Sequence, residues 1–343
     1  MIDLGTSHYR AALDGGKTVI QEPCVIAHPD RGGVVIGSDA QRMIGRSPAH
    51  IRIVRPVELG VIVDLDGASL IIRDCVARLS PRRFGLKTKL SIAVPSNLTQ
   101  IQRRSIEEAG KLAGAQSVQL INASVAAGLG AGLPIQAPRG CLVVHMGAGI
   151  TEAAVLSMNE VVESNTLPSG GHALDAAIME RVRREYRFMI GQRTAEYVKH
   201  QLGGDDGLEM VEIRGRNLQT GLPDVLQVQR QVVDDLLESY CRSVVDLIGR
   251  TISACQPELA GDVYESGILL VGGGALMRHM VTRLGGQMAM TTIVAQAPET
   301  CVIRGLMRRR VDLDTANKSL QPWHPFTKRA RLALRADGKG VES

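Results

Sequence analysis

With 343 residues, 44% of them hydrophobic and 22% charged, the chain can bury a large core and more than one domain, in the composition of an ordinary soluble globular protein. Its six cysteines (Cys24, Cys75, Cys141, Cys241, Cys255, Cys301) are scattered without a CxxC pair, which argues against a disulfide frame or a cysteine metal site and for buried thiols in a reducing compartment. No signal peptide or spanning apolar run is visible, so the expected location is the cytoplasm; the net charge of +5 has no nucleic-acid signature beside it, and nucleic acid is not expected as a partner.

Residues 2–13 read as an apolar strand, a Gly-Thr turn at Gly5 and Thr6, and an amphipathic strand. Residues 17–28 read as a further strand that ends at the turn cluster 29–33. Helical periodicity follows over 69–79. In SPRRFGLKTK, residues 80–89, Phe84 and Leu86 sit among Arg82, Arg83, Lys87 and Lys89. That segment is either a polar turn with a partly covered Phe or an amphipathic contact with anionic lipid. Residues 90–94 form a short strand ending at Pro95. Thr99 is the expected N-cap of a polar helix over 99–113, with Arg103, Arg104, Glu107 and Glu108 spaced for i,i+4 pairs. A strand over 118–121 leads to VAAGLGAG at 125–132, a small-residue helix that must pack tightly against a neighbour.

Residues 141–156, CLVVHMGAGITEAAVL, repeat the opening plan: apolar strand, small-residue turn (Gly147, Ala148, Gly149), apolar strand. Such a turn either reverses the chain or offers backbone N–H groups to an anion. Two similar hairpins suggest a duplicated pair of domains, each presenting a turn to one shared cleft. Helices are expected over 173–186 and 194–202, a hairpin over 211–226 turning at residues 220–223, and a long amphipathic helix over 232–255. The strand 267–271 runs into Gly272, Gly273 and Gly274 and then a helix from Ala275; three glycines suit close backbone approach to a flat group. A helix over 302–310 precedes a basic tail from Val311, disordered by composition, with a short amphipathic stretch at 326–334 as the alternative.

IDLGT, HMGAGITE and VGGGALM, joined in order by QEPCVIA, AVPSNLTQIQRRSIEEAG, IGQRTAEYVK and RGRNLQTGLP, resemble the MreB and Mbl family of bacterial actins over residues 1–310. The resemblance implies an α/β, actin-like (ribonuclease H-like) duplicated fold, with two large domains, each carrying a smaller subdomain, around a nucleotide cleft. It divides the chain into subdomain IA (1–28, 55–133 and 295–310), IB (29–54), IIA (134–168 and 232–294) and IIB (169–231), followed by the tail 311–343. Family members usually carry several more residues before the first strand, so this edge reads as clipped or its start codon as misplaced. ATP is the implied ligand, with or without magnesium. Asp3 is implied to act on magnesium through water. Gly5, Thr6, Ser7, Gly147, Ala148 and Gly149 are implied at the phosphates, and Gly272, Gly273 and Gly274 at the adenosine. Glu196 and Lys199 are implied beside the base and ribose, although their spacing alone also reads as a surface pair.

Four departures from the family pattern stand out. His145 replaces the second-loop carboxylate, and imidazole is no substitute for an anionic oxygen beside a hard cation. Asn122-Ala123-Ser124 replaces Glu-Glu-Pro, so the water-orienting carboxylate is an amide. Ile150 replaces a threonine, and His172-Ala173 follows Gly170-Gly171 in place of Asp-Glu. Positioning groups in phosphoryl transfer act as a unit and supply several powers of ten in rate. Hydrolysis is therefore expected to be slow or absent, with no confident catalytic residue beyond the degenerate positions Asn122 and His145. The expected function is a membrane-associated filament or scaffold organising cell-wall synthesis and cell shape, on the inner face of the membrane. Its implied partners are further copies of itself, anionic lipid and the shape-determining membrane proteins. An active ATPase of the same fold, or a non-polymerising regulator of a genuine MreB, are the rival readings. Hsp70 chaperones and sugar kinases share the fold, but neither a substrate-binding domain after residue 310 nor a sugar pocket with its catalytic carboxylate is seen.

Overall fold

The computed structural model describes residues 1–16, 19–29, 32–80, 88–204, 208–277 and 280–315. The apolar-basic segment with Arg82, Arg83, Phe84, Leu86 and Lys87, and the tail beyond Thr315, lie outside the described residues.

Two five-stranded sheets share one topology. In the first, Ile2–Leu4, His8–Ala12 and Val19–Pro23 form an antiparallel meander. Thr88–Val94 pairs parallel to the free edge of Ile2–Leu4, and Ala115–Asn122 pairs parallel to Thr88–Val94. In the second, Cys141–Met146, Thr151–Ser157 and Glu160–Leu167 form the meander, Ile268–Val271 pairs parallel to Cys141–Met146, and Thr292–Val294 to Ile268–Val271. The duplication expected from the two hairpins is thus present strand for strand.

The apolar runs are continuous because both sheet faces are covered. Along Cys141–Met146, Leu142, Val144 and Met146 enter the core of the second half, while Cys141 and Val143 face a separate core between the halves. Thr151–Ser157 divides alike: Ala153 and Val155 face one way, Ala154 and Leu156 the other. The first half has its own core around Tyr9, Ile71, Ile72 and Ile92. The intermediate core is built on two helices, Ala123–Ala131 and Cys301–Thr315. They meet backbone to backbone: a Cβ on Gly130 would strike the carbonyl of Cys301, and one on Gly305 the carbonyl of Ala126. This is the neighbour that VAAGLGAG needed.

Two three-stranded sheets flank the pair. One joins Ile26–His28 to Val35–Ile36 and Arg52–Val54. The other joins Met210–Asn217 to Phe188–Met189 and Pro223–Gln229.

Local signals explain some helix starts. Thr99 Oγ1 accepts from the Gln102 N–H at 3.3 Å, and Gln102 Oε1 accepts from the Thr99 N–H at 2.9 Å, a complete capping box. Asp64 caps Leu65–Leu79 by accepting from the Gly67 N–H, so this helix starts four residues before Ser69.

Other expectations need correction. The single strand over 17–28 is two strands in different sheets, because the chain breaks direction at Cys24 and Val25, both buried. At the helix expected from Ala275 there is first a 3-10 turn, Gly273–Leu276, and the next described helix is Met280–Met288. The last helix continues through Thr315, past the start assigned to the tail. Among the described residues the Arg103–Glu107 and Arg104–Glu108 pairs do not form; Arg103 donates instead to the Ser96 carbonyl at 3.3 Å. No helix among the described residues is long and apolar enough to cross a membrane.

Candidate functional site

The two hairpin turns are built alike. The first ladder closes at Leu4 opposite Tyr9 and the second at Met146 opposite Thr151, so residues 5–8 and 147–150 form the loops. In each, the leading glycine N–H donates to the last loop carbonyl: Gly5 to His8 at 3.1 Å and Gly147 to Ile150 at 2.9 Å. A Cβ on either glycine would sit 2.8 Å or 2.9 Å from that same carbonyl oxygen. Glycine is required here by the turn itself.

The turns converge. A Cβ on Gly149 would collide with Thr6 Oγ1 and lie 3.0 Å from the Leu59 backbone. Thr6 Oγ1 in turn accepts from the Gly60 N–H at 3.2 Å. Behind the contact lies a cavity of about 410 Å³, a size ordinary for a small-molecule cleft. Asp3, Gly5, Thr6, Ser7, Gly147, Ala148, Gly149, Glu196, Lys199, Gly272, Gly273 and Gly274 all line it, drawn from both halves. His145 and Ile150 line it too; Asn122 does not.

The third glycine run has a divided role. Gly272, at φ +86°, and Gly274 lie so close to Met146 that neither tolerates a side chain. Gly273 alone opens onto free space. Lys199 is not paired with Glu196: its ammonium contacts Asp175 at 2.7 Å and donates to the Gly171 carbonyl at 3.0 Å, nearly buried. Burial pushes the Asp175 carboxyl up, and Lys199 counters part of that. The surface-pair reading of Glu196 and Lys199 is therefore replaced by a buried pair that ties the helices Gly171–Tyr186 and Gln192–Gly203 together.

Charge on the cavity floor follows strand register. Asp3 stands directly opposite Arg10, and His145 directly opposite Glu152. Arg10 Nη1 lies 3.8 Å from Asp3 Oδ2. Burial pushes the Asp3 carboxyl up to about 6, with Arg10 pulling the other way. Burial and the Arg10 charge push His145 down to about 4, so at neutral pH its imidazole is uncharged. Burial, Arg55 and Lys199 push His172 down to about 4 as well.

Glu152, only 2% exposed, accepts from the Ser96 N–H and the Ser96 hydroxyl, each at 2.8 Å, and from the Ser124 hydroxyl. Asn122 completes this cluster. Its Oδ1 accepts from the Ser124 and Val125 N–H groups, capping Ala123–Ala131, and its Nδ2 donates to Ser96 Oγ at 2.7 Å. The amide is thus spent on the helix and the serine. Asn122 does not line the cavity, whereas Glu152, held by the two serines, does. Sequence reasoning missed Arg10, Ser96 and Glu152. A four-residue loop after Leu4 places residue 10 opposite residue 3, so Arg10 was readable from the hairpin alone.

Magnesium needs hard oxygen donors. On this floor Asp3 is shared with a guanidinium and the second position is an imidazole. Among the described residues no three His, Cys, Asp or Glu side chains gather as ligands. The donor set does not fit a divalent cation held by the protein.

A family model described as MreB/Mbl protein matches residues 1–318. The cell shape-determining protein MreB of Escherichia coli K12 is 37% identical over 314 residues, covering 89% of this chain and 90% of that protein. The cell shape-determining protein Mbl of Bacillus subtilis is 32% identical over 309 residues, covering 89% and 93%. Among solved structures, MreB5 of Spiroplasma citri bound to ADP is similar at a TM-score of 0.85 and 29% identity, covering 92% of this chain and 98% of that one. The MamK double helical filament, at a TM-score of 0.76 and 19% identity over 90% and 97%, is similar in fold. From sequence and architecture together, the chain belongs to the MreB/Mbl family of actin-like cell-shape proteins.

Proposed function

We propose that this chain is a nucleotide-binding cytoskeletal protein of the MreB/Mbl type, in which ATP acts as a conformational ligand and is cut slowly or not at all. The observation that supports the reading is the convergence of both glycine turns and Gly273 on one cavity formed by the two halves. A ligand that touches both turns favours the closed arrangement by its differential affinity for it. A triphosphate suits two loops of small residues with backbone donors. MreB5, at 29% identity, is a protein solved with ADP and with AMPPNP.

Slow hydrolysis follows from what faces the reacting end. Ile150 brings no hydroxyl, Asn122 is turned into its helix, and the Glu152 oxygens are engaged by Ser96 and Ser124. Phosphate release from the purified chain should run at least about tenfold below that of the E. coli relative assayed beside it. Equal turnover would overturn the slow-hydrolysis reading.

In the cell the chain assembles as a filament or scaffold on the inner face of the membrane and engages shape-determining membrane proteins. Phe84 and Leu86 among their cations supply the lipid contact. Burying each apolar side chain is worth roughly 1.5–3 kcal/mol and each cation near anionic lipid about 1 kcal/mol, so one copy binds weakly and a filament firmly. Phe84→Ser with Leu86→Ser should release the protein from anionic vesicles in a flotation assay. Retention of the double variant would remove this segment as the anchor.

A further inference from the structure

We propose that this cavity binds its nucleotide without a divalent metal, the Arg10 guanidinium standing where a cation otherwise meets the phosphates. The proposal deepens the nucleotide reading and rests on it.

Arg10 is built into the floor. It sits on the second strand of the first hairpin, its side chain 12% exposed, and lines the cavity beside the two turns. Register places it opposite Asp3 on one side and Gln21 on the other. Its Nε donates to Gln21 Oε1 at 3.1 Å, and among the described residues this is its one hydrogen bond. Nη1 stays 3.8 Å from Asp3, too far for a hydrogen bond. The head group is therefore held by its root, with the terminal N–H groups left to a ligand. A guanidinium is always charged and matches phosphate oxygens in a two-pronged geometry.

Among the described residues, the other Lys or Arg lining the cavity is Lys199, which is engaged by Asp175 at 2.7 Å. Of these two described cations, Arg10 is the one whose charge is not closed off by a short ion pair. The groups that would instead recruit a metal are reduced at the same floor. His145 occupies the second-hairpin position equivalent to Asp3, and Glu152, which also lines the cavity, has its oxygens engaged by Ser96 and Ser124. An arginine supplied and a carboxylate withdrawn are two halves of one exchange: charge neutralisation passes from a hydrated ion to a fixed side chain.

The test is a titration of the full chain with N-methylanthraniloyl-ADP and the corresponding ATP analogue, in EDTA and in excess magnesium. Affinities in the two buffers should agree within about threefold, whereas Arg10→Gln should weaken binding in EDTA by about tenfold or more, the size of a lost charge-assisted contact. His145→Asp should create a magnesium preference of about tenfold, and it keeps the test open should the Arg10 variant fail to fold by circular dichroism. Binding seen only with magnesium, or an Arg10→Gln affinity in EDTA equal to that of the parent, overturns this inference and leaves the nucleotide reading standing. Binding in neither buffer overturns both.

Discussion

In the first hairpin an acid on the leading strand, Asp3, faces a cation on the trailing strand, Arg10. In the second, the imidazole of His145 leads and the acid, Glu152, trails. The backbones match down to the hydrogen bond that closes each loop, so the difference lies in side chains alone. It separates two uses of a buried carboxylate. Asp3 lines the cavity with one distant partner, and burial pushes its carboxyl up to about 6. Glu152 accepts three hydrogen bonds from serines of the first half and joins the halves behind the turns. Duplication copied a scaffold, and the charge pattern drawn on it then diverged.

The largest expected effect sets these carboxylates against each other. Glu152→Ala leaves a buried N–H and two hydroxyls without their acceptor and should cost about 3 kcal/mol in urea unfolding, by the usual cost of orphaned donors to a charged group. Asp3→Ala removes a carboxyl that burial disfavours and should cost less than about 1 kcal/mol. Equal losses in the two variants would erase the distinction.

A smaller effect tests the sameness of the two backbones. Gly5→Val and Gly147→Val each push a side chain against the closing carbonyl and should each cost about 1–3 kcal/mol. Melting temperatures that fall in parallel would sharpen the equivalence; a loss confined to one hairpin would break it.

The smallest is a pH effect. His145 and His172 are uncharged in the fold down to about 4, while in the unfolded chain they take up protons near 6.5. Their contribution is complete above 6.5 and is lost as pH falls from there toward 4. Asp3 works in the opposite sense: raised to about 6, it favours the fold as pH drops below that value. His8 and His200 are also pushed down by burial, and Asp175 is pushed up, so with four imidazoles against two carboxyls the melting temperature should fall by a few degrees between pH 7 and pH 5. His172→Gln should reduce that fall, and an unchanged slope in the variant would remove His172 from the account.

Much of the scaffold is legible in the chain. Apolar runs interrupted by Gly5 and by Gly147 mark the hairpins, because a strand covered on both faces has no polar alternation to disguise it. Thr99 three residues before Gln102 marks a helix start, because both partners of the cap are local. What is not legible is set by distant neighbours. Nothing near Glu152 in sequence announces Ser96 and Ser124, which arrive from another sheet and another helix. Lys199 is three residues from Glu196, yet its partner is Asp175 on the preceding helix. The glycines at 272 and 274 suggest room for a ligand, but the close neighbour turns out to be the strand end at Met146. Local chemistry fixes turns and caps; partner choice among buried charges depends on packing the sequence does not spell out.

The backbone contact of Gly130 with Cys301 and of Gly305 with Ala126 bears on how the molecule can move. Where two helices touch without intervening side chains, there are no rotamers to reshuffle and little room to slide. Any change in the angle between the halves would have to keep the spacing at this crossing. A ligand holding both turns, as proposed, would bias the angle between the halves about this crossing.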